Sequence, residues 1–160
     1  MSRVRARGVE IGGVRFSELR RATILQKRAF KPRLAYGYAT LLLLWGLPHV
    51  RFLVARDGDR IVGCAIGDRN GGQARVVNIC VDPDYQRQGI GARLLRALDT
   101  AIPEGDMVLM VEADNQTAKS LYRREGFKEV GVSRNYYGRN LDGIWMQKVR
   151  DGSSAAKIRI

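Results

Sequence analysis

The stretch that most constrains the fold of this chain runs from residue 77 to residue 92, where a strand gives way to a turn and then a helix. The largely apolar run Val77–Val81 is typical of a buried strand, and Pro83 stops it because proline lacks a backbone N–H. Gly89 and Gly91 open a segment of helical periodicity, and their missing Cβ atoms leave backbone N–H groups accessible. Such groups at a helix N-terminus suit a pyrophosphate. A tight turn without any ligand would need the same glycines.

Hydrophobic periodicity along the chain predicts a mixed α/β domain. We expect helices over residues 17–30, 36–45, 89–100 and 115–125, and strands over residues 52–55, 61–66, 74–81, 107–111, 128–132 and 144–149. The helix between two strands predicts a parallel pair, and the whole order predicts a mixed central sheet with helices on both faces. One folded domain is expected over residues 13–149, between a basic flexible arm at residues 1–12 and a polar tail at residues 150–160.

Two groups of residues resemble the landmarks of the GNAT acetyltransferases. Gln86, Gly89 and Gly91 fit the acetyl-CoA signature Gln/Arg-x-x-Gly-x-Gly/Ala, and residues 115–122, followed by Gly-Phe, resemble the pattern Asn-x-x-Ala-x-x-Leu-Tyr. Within the family, residues 78–89 and 134–137 are most similar to the ribosomal-protein alanine N-acetyltransferases (RimI) and the archaeal N-terminal acetyltransferases. The resemblance covers residues 13–149, and it implies the GNAT fold with its parallel strand pair at the acetyl-CoA site.

The resemblance also implies which residues hold acetyl-CoA, the one cofactor expected. Strand residues would offer backbone to the pantetheine arm, the turn would hold the pyrophosphate, and the next helix would contact the cofactor beyond it. These residues are Ile79, Cys80 and Val81 in the strand, Arg87, Gln88, Gly89, Ile90, Gly91 and Ala92 in the turn, and Asn115. Tyr136 and Tyr137 would line a groove for the acceptor peptide.

Tyr122 is a candidate general acid. It follows Asn115 by seven residues, so the two side chains share one face of a helix about 10.5 Å apart along its axis. If Asn115 contacts the pantetheine, Tyr122 lies near the sulfur and its hydroxyl can protonate the departing thiolate. A tyrosine ring packed in the core would give the same spacing.

The general base is left open. The relatives named above carry a glutamate or histidine at the position of Met110, and methionine cannot accept a proton. Glu112 lies two residues along the same strand, about 6.6 Å away, and is either a displaced base or an ordinary charged strand end. Arg33 stands near the place where the archaeal enzymes have a glutamate. Deprotonation at pH 7 costs an α-amine about 1.4 kcal/mol and a lysine about 4.6 kcal/mol, so a weak base suits an N-terminus.

Composition excludes several other chemistries. Lys and Arg number 28 against 16 Asp and Glu, which gives a net charge of +12 that attracts anions without naming a partner. Because no run interleaves cations with aromatic residues, nucleic-acid binding is not expected. His49 is the only histidine, and Cys64 and Cys80 stand apart, so no metal site and no Ser/His/Asp or Cys/His pair is expected.

The uncharged residues 34–50 fall short of the roughly 20 that a membrane span needs, and we expect a buried or groove-lining helix and no membrane contact. Cys64 and Cys80 lie in apolar runs as in proteins of a reducing compartment, which favours the cytoplasm.

These observations together predict an acetyl-CoA-dependent N-acetyltransferase that acts on a primary amine, with a protein N-terminus as the favoured acceptor. A small-molecule amine or lysine acetyltransferase is a first alternative. An acyl-CoA-binding module without catalysis is a second, which the methionine at position 110 motivates. The oligomeric state is not predicted.

Overall fold

A computed structural model describes residues 8–150, which build a mixed sheet covered by helices on both faces. The strands are β1 Glu10–Gly13, β2 Val50–Asp57, β3 Arg60–Asn70, β4 Gln73–Val81, β5 Met107–Glu112, β6 Lys128–Gly138 and β7 Leu141–Lys148. The helices are α1 Leu19–Ala29, α2 Tyr38–Gly46, α3 Ile90–Ala101 and α4 Gln116–Arg124, and single 3₁₀ turns span Phe16–Glu18 and Pro83–Tyr85.

The sheet has the strand order β1-β2-β3-β4-β5-β7-β6. Within the described residues β4 and β5 are the parallel pair, joined through α3, and the other neighbours are antiparallel. The predicted mixed sheet, its parallel pair and the helices on both faces are therefore confirmed.

The two faces of the sheet carry separate hydrophobic cores. On one face α3 buries the residues that its periodicity predicted, Ile90, Leu94 and Leu98, together with side chains of α4. On the other face α1 and α2 pack through residues such as Leu25 and Leu41. Burial of each such side chain contributes about 1.5–3 kcal/mol.

The Leu-rich helix α2 is less buried than its composition suggested. Leu41 is fully buried, whereas Leu42, Leu43 and Trp45 are exposed, and the Trp45 ring lies 5.5 Å from that of Phe16. No helix in residues 8–150 has the length and apolarity that crossing a membrane requires.

The predicted ends of the domain need two corrections. Residues 10–12, assigned to the arm, belong to β1, which pairs with β2 from Glu10↔Arg56 to Gly13↔Leu53. Arg150, assigned to the tail, donates hydrogen bonds to the carbonyl of Ile102 at 2.6 Å and to Asp99. Two glycines in β1 hide its strand character, which only the pairing with β2 creates. Residues 1–7 and 151–160 of the predicted arm and tail lie outside the described residues.

A β-bulge interrupts β4 in the middle of the sheet. Ile66 of β3 pairs with Asn78 and Gly67 pairs with Val76, so Val77 is an extra residue without a partner in β3. A bulge bends its strand and increases the local twist. The pairing between β4 and β5 ends at Val76↔Leu109, so the two strands separate at the bulge.

An ion pair between buried Glu18 and partly buried Arg56 fixes the start of α1 on the edge of the sheet. Arg56 of β2 donates from Nε and Nη2 to the two carboxylate oxygens of Glu18, each at 2.7 Å, and also to the carbonyl of Gly13. Glu18 further accepts the N–H of Arg15 at 2.7 Å. The hydrogen bonds from Arg56 are the main cause that lowers the pKa of Glu18 from 4.5 to about 2.

The lowered pKa predicts how acid destabilises the fold. Because the folded-state pKa lies below the unfolded value, the stabilisation is full above pH 4.5 and is lost as the pH falls towards 2. The substitution Glu18→Gln is expected to lower the free energy of unfolding at pH 7 by about 2–3 kcal/mol and to flatten this acid dependence. Urea unfolding between pH 7 and pH 2.5 measures both effects.

Glu129→Gln is the matched control, because Glu129 pairs with Arg123 on the surface, where both side chains are well exposed. An equal loss of stability in Glu18→Gln and Glu129→Gln would contradict the assignment.

Candidate active site

The separation of β4 from β5 opens a cleft at the carboxyl end of the parallel pair. Beyond Val76↔Leu109 the backbone edge of residues 77–81 that faces β5 has no strand partner in the described chain. Two cavities of about 350 and 370 Å³ lie along the cleft. They share part of their walls, formed by Ala29, Phe30, Ile79, Asn115, Ala118 and Tyr122.

A buried amide pair holds β4 against α1 at the bulge. Gln26 donates from Nε2 to Oδ1 of Asn78 at 2.8 Å, and Asn78 donates from Nδ2 to Oε1 of Gln26 at 3.2 Å. Oε1 of Gln26 also accepts the N–H of Tyr36, at 3.4 Å. Since buried amides are costly when unpaired, this contact fixes the bulge, α1 and the following loop relative to one another.

The larger cavity gathers most of the predicted cofactor residues. Its wall includes Ile79, Cys80 and Val81 of β4, Arg87, Gly89, Ile90, Gly91 and Ala92 of the turn and α3, Asn115 before α4, and Tyr122. Gln88 lies in the same turn but does not line the wall. The predicted set, which is scattered over 44 residues of sequence, thus lies around one space.

The two glycines of the turn have different physical roles. Gly89 precedes α3 with φ +78°, and Arg87, two residues earlier, has φ +64°, so the turn uses left-handed backbone that a Cβ disfavours. Gly91 has ordinary helical backbone, but a Cβ there would lie 3.2 Å from Cδ2 of Leu121. Gly89 therefore shapes the turn, while Gly91 lets α3 pack closely against α4.

A buried carboxylate anchors the segment before the turn. Asp82 accepts hydrogen bonds from Arg28 and Arg60, each at 3.1 Å, and from the N–H of Asp84 at 3.0 Å. The guanidinium of Arg60 also lies 5.2 Å from the ring centre of the buried Tyr85. These contacts tie the turn to α1 and β3, so its N–H groups keep a fixed direction.

Asn115 and Tyr122 line both cavities, as their shared helix face predicted. Oδ1 of Asn115 caps α4 by accepting the N–H of Ala118 at 3.1 Å, which leaves its Nδ2 hydrogens for a ligand. Tyr122 is 7% exposed and its ring lies 5.9 Å from that of Phe127. Burial raises the pKa of Tyr122 well above its usual value, so the hydroxyl keeps its proton at neutral pH.

The smaller cavity is lined by residues whose proximity the sequence analysis did not predict. They come from the end of α1 and the loop after it, from β5 and from β6, and include Lys31, Arg33, Leu34, Tyr36, Met110, Glu112 and Tyr137. Arg33 forms an ion pair with Glu112 and donates to the carbonyl of Tyr137 at 2.6 Å. The sequence carried no signal for this contact, because 79 residues separate its charged partners.

Tyr137 and Tyr136 differ in position. Tyr137 lines the smaller cavity, whereas Tyr136 is 55% exposed and lies edge-on to Tyr137 at 5.0 Å between ring centres. Met110 lies over Gly143 of β7, where a Cβ would come within 2.5 Å of its sulfur. The cavity therefore has an apolar thioether beside the carboxylate of Glu112.

The fold and the site define a class of protein. The model of the acetyltransferase (GNAT) domain matches residues 48–129. The chain belongs to the GNAT acetyltransferases, which use acetyl-CoA, and it is an N-acetyltransferase enzyme. The family resemblance of the two motifs is thereby confirmed.

Its relatives point to one branch of the family. N-alpha-acetyltransferase RimI of Mycobacterium tuberculosis is 36% identical over 133 residues, which is 81% of this chain and 84% of the relative. The ribosomal-protein-S18-alanine N-acetyltransferase from Escherichia coli has a similar structure, with a TM-score of 0.82 and 27% identity over 96% of this chain and 99% of that one. PaiA N-acetyltransferase from Thermoplasma acidophilum, solved with coenzyme A, shares the fold with a TM-score of 0.78 and 17% identity over 89% and 99% of the chains.

The geometry of the turn generates a prediction for coenzyme A. Gly89→Ala forces a Cβ onto left-handed backbone, so the turn distorts, and we expect the affinity for coenzyme A to fall about tenfold or more. Isothermal titration calorimetry measures the affinity.

Gly71→Ala is the matched control, since Gly71 has φ +59° in the β3–β4 turn, lines neither cavity, and also has open space where its Cβ would be. It should cost comparable stability and leave coenzyme A binding unchanged. Equal affinities of the two variants would show that the turn does not hold the pyrophosphate.

Proposed function

We propose that this protein transfers the acetyl group of acetyl-CoA to the α-amine of a protein or peptide N-terminus. The observation that carries the proposal is the meeting of two cavities at Tyr122. The larger cavity has the chemistry to hold a pyrophosphate-bearing thioester, and the smaller cavity has one carboxylate and aromatic side chains that could receive an amine. Tyr122 lies on the wall that they share.

The residues of the larger cavity fit acetyl-CoA. The edge of residues 79–81 has no strand partner among the described residues and has the spacing of a strand, which suits the amide groups of the pantetheine arm. Nε2 of Gln86 donates to the carbonyl of Val81 at 3.2 Å. The first N–H groups of α3, at Ile90, Gly91 and Ala92, have no helical acceptor, and with Arg87 they suit the pyrophosphate. Asn115 would donate hydrogen bonds from Nδ2 to the cofactor at a point beyond the pyrophosphate. Acetyl-CoA supplies the activated acyl group when it binds.

Tyr122 acts as the general acid in this proposal. Its raised pKa keeps the hydroxyl protonated, and its position on the wall that the two cavities share supports a role beside the departing thiolate. Donating that proton prevents the thiolate from returning to the new amide. The tilted contact with Phe127 and the burial of the ring hold the hydroxyl in one direction.

Two facts support an N-terminal α-amine as the acceptor. The names of the relatives from M. tuberculosis and E. coli describe N-alpha and S18-alanine acetyltransferases. In addition, the smaller cavity holds one carboxylate among its described residues, and an α-amine needs far less help than a lysine to lose its proton. We also propose a cytoplasmic protein, because Cys64 and Cys80 are free thiols whose sulfurs lie 3.5 Å apart, as a reducing compartment allows.

The acceptor is tested by mass spectrometry on peptides mixed with the protein and acetyl-CoA. One added acetyl is expected on peptides with a free N-terminus, and none on peptides whose N-terminus is blocked and whose only amine is a lysine. Transfer to polyamines or aminoglycosides instead would support the small-molecule alternative. Heat of coenzyme A binding without any transfer would support a module that binds acyl-CoA without catalysis.

The role of Tyr122 generates a second prediction. Tyr122→Phe removes the hydroxyl and keeps the ring, so we expect kcat to fall by about 10²–10⁴-fold while the affinity for coenzyme A changes little. Tyr38→Phe is the control, because Tyr38 is partly buried against the core of α1 and α2 and lines neither cavity. Steady-state kinetics with a peptide acceptor measures both variants. A kcat for Tyr122→Phe within threefold of that of the unaltered protein would remove Tyr122 from the mechanism.

A further inference from the structure

The smaller cavity has an unusual balance of charge for a site that receives an amine. An amine reaches it mainly as a cation, and the chain carries a net charge of +12. Of the described residues that line this cavity, Lys31 and Arg33 are cationic and Glu112 is the one carboxylate. An incoming ammonium therefore finds a single anionic partner in the cavity.

Glu112 is held in place by contacts from three parts of the fold. It belongs to the last residue pair of β5 with β7, opposite Gly143, and its backbone carbonyl accepts the N–H of Asn115 at 3.0 Å. Its side chain is 11% exposed and forms the ion pair with Arg33. Arg33 in turn donates to the carbonyl of Tyr137 at 2.6 Å. The carboxylate therefore has a fixed direction at the wall of the cavity.

We propose that Glu112 binds the ammonium of the acceptor and takes its proton, and that Arg33 is the positioning residue that orients the carboxylate. This inference rests on the proposed function. Because Nη2 of Arg33 pairs with Oε1 of Glu112, the ammonium can bind Oε2 while Arg33 keeps both its ion pair and its hydrogen bond to Tyr137.

The other groups of the cavity are unsuited to accept this proton. Met110 lies on the same strand two residues away, and a thioether does not bind protons at neutral pH. Burial raises the pKa of Tyr36 and of Tyr137, so both hydroxyls stay protonated and cannot act as bases. Lys31 is a cation that repels the ammonium.

These groups account for every proton that moves in the reaction. Glu112 takes one proton from the ammonium, directly or through water, and later releases it to solvent. The neutral nitrogen attacks the thioester carbon, so a C–N bond forms and the C–S bond breaks. The leaving sulfur takes the proton of Tyr122, and the second proton lost by nitrogen restores the tyrosine hydroxyl. The products are an amide, a thiol and one proton.

A carboxylate in this role has a consequence for the substrate class. Carboxylates are weak bases, so they suit an amine that is already partly neutral. About one α-amine in ten is neutral at pH 7, against fewer than one lysine in a thousand. Glu112 therefore favours a protein N-terminus over a lysine side chain.

The test uses the full chain with a free-N-terminus peptide as acceptor. Glu112→Gln is expected to lower kcat/KM for the peptide by about 10²-fold and to raise its KM, with unchanged coenzyme A affinity by calorimetry. Glu104→Gln is the matched control, since Glu104 pairs with Arg69 at 3.1 Å and lines neither cavity. It should keep the kinetics of the unaltered protein.

Three further variants separate a binding role from a structural one. In Met110→Glu/Glu112→Gln the carboxylate returns to the same cavity two residues away, and at least a tenfold recovery over Glu112→Gln is expected. Arg33→Met should lower kcat about tenfold, and Arg33→Lys should restore most of it. A merely structural role of the ion pair would give the double variant no more recovery than Met110→Glu alone adds to the unaltered protein.

The outcomes distinguish the inference from the proposed function. Suppose that the unaltered protein acetylates peptides and that kcat/KM of Glu112→Gln lies within threefold of its value. The proposed role of Glu112 is then overturned, and the proposed function stands. If a large loss in Glu112→Gln comes with lost coenzyme A affinity and no recovery in the double variant, the role of Glu112 is also overturned. If the unaltered protein binds coenzyme A but acetylates no peptide, the proposed function itself fails.

Discussion

The site of this protein depends on the separation of two parallel strands that are hydrogen-bonded for only three residue pairs, Ala74 to Val76 with Met107 to Leu109. The bulge at Val77 bends β4 away, and the buried amides of Gln26 and Asn78 hold the bent strand against α1. A backbone edge in the middle of a sheet is normally satisfied by its neighbour, so here it remains available to a ligand. The two cavities follow from this one departure from regular pairing.

Four arginines of this basic chain join elements of the fold through ion pairs. Arg56 fixes the first helix through Glu18, Arg28 and Arg60 fix the approach to the turn through Asp82, and Arg33 fixes Glu112. In each case a guanidinium joins a carboxylate to a different element, which its several N–H donors allow. These arginines therefore help to fix the architecture around the site.

The sequence analysis correctly predicted the helices and strands that are defined by the pattern of their own residues. Helix α3 shows its apolar spacing, and α4 ends at Arg124, two residues before Gly126, whose φ of +94° is typical of the position after a helix C-cap. The sequence analysis missed β1, whose glycines carry no strand signal. It also ended the strand β6 at residue 132, whereas the strand continues to Gly138 and includes residues 134–137. Edge strands such as these are defined by their neighbours, so their own residues carry little information.

The sequence by itself determined the turn and its helix, the shared face of Asn115 and Tyr122, and the absence of an acid at position 110, because these depend on residue type and on spacing within one element. Only the tertiary structure decided that Arg33 meets Glu112 and Tyr137, and that Gln26 holds the bulge of β4. Those contacts join residues more than 50 positions apart. Such pairings depend on how the elements pack, and no local pattern encodes them.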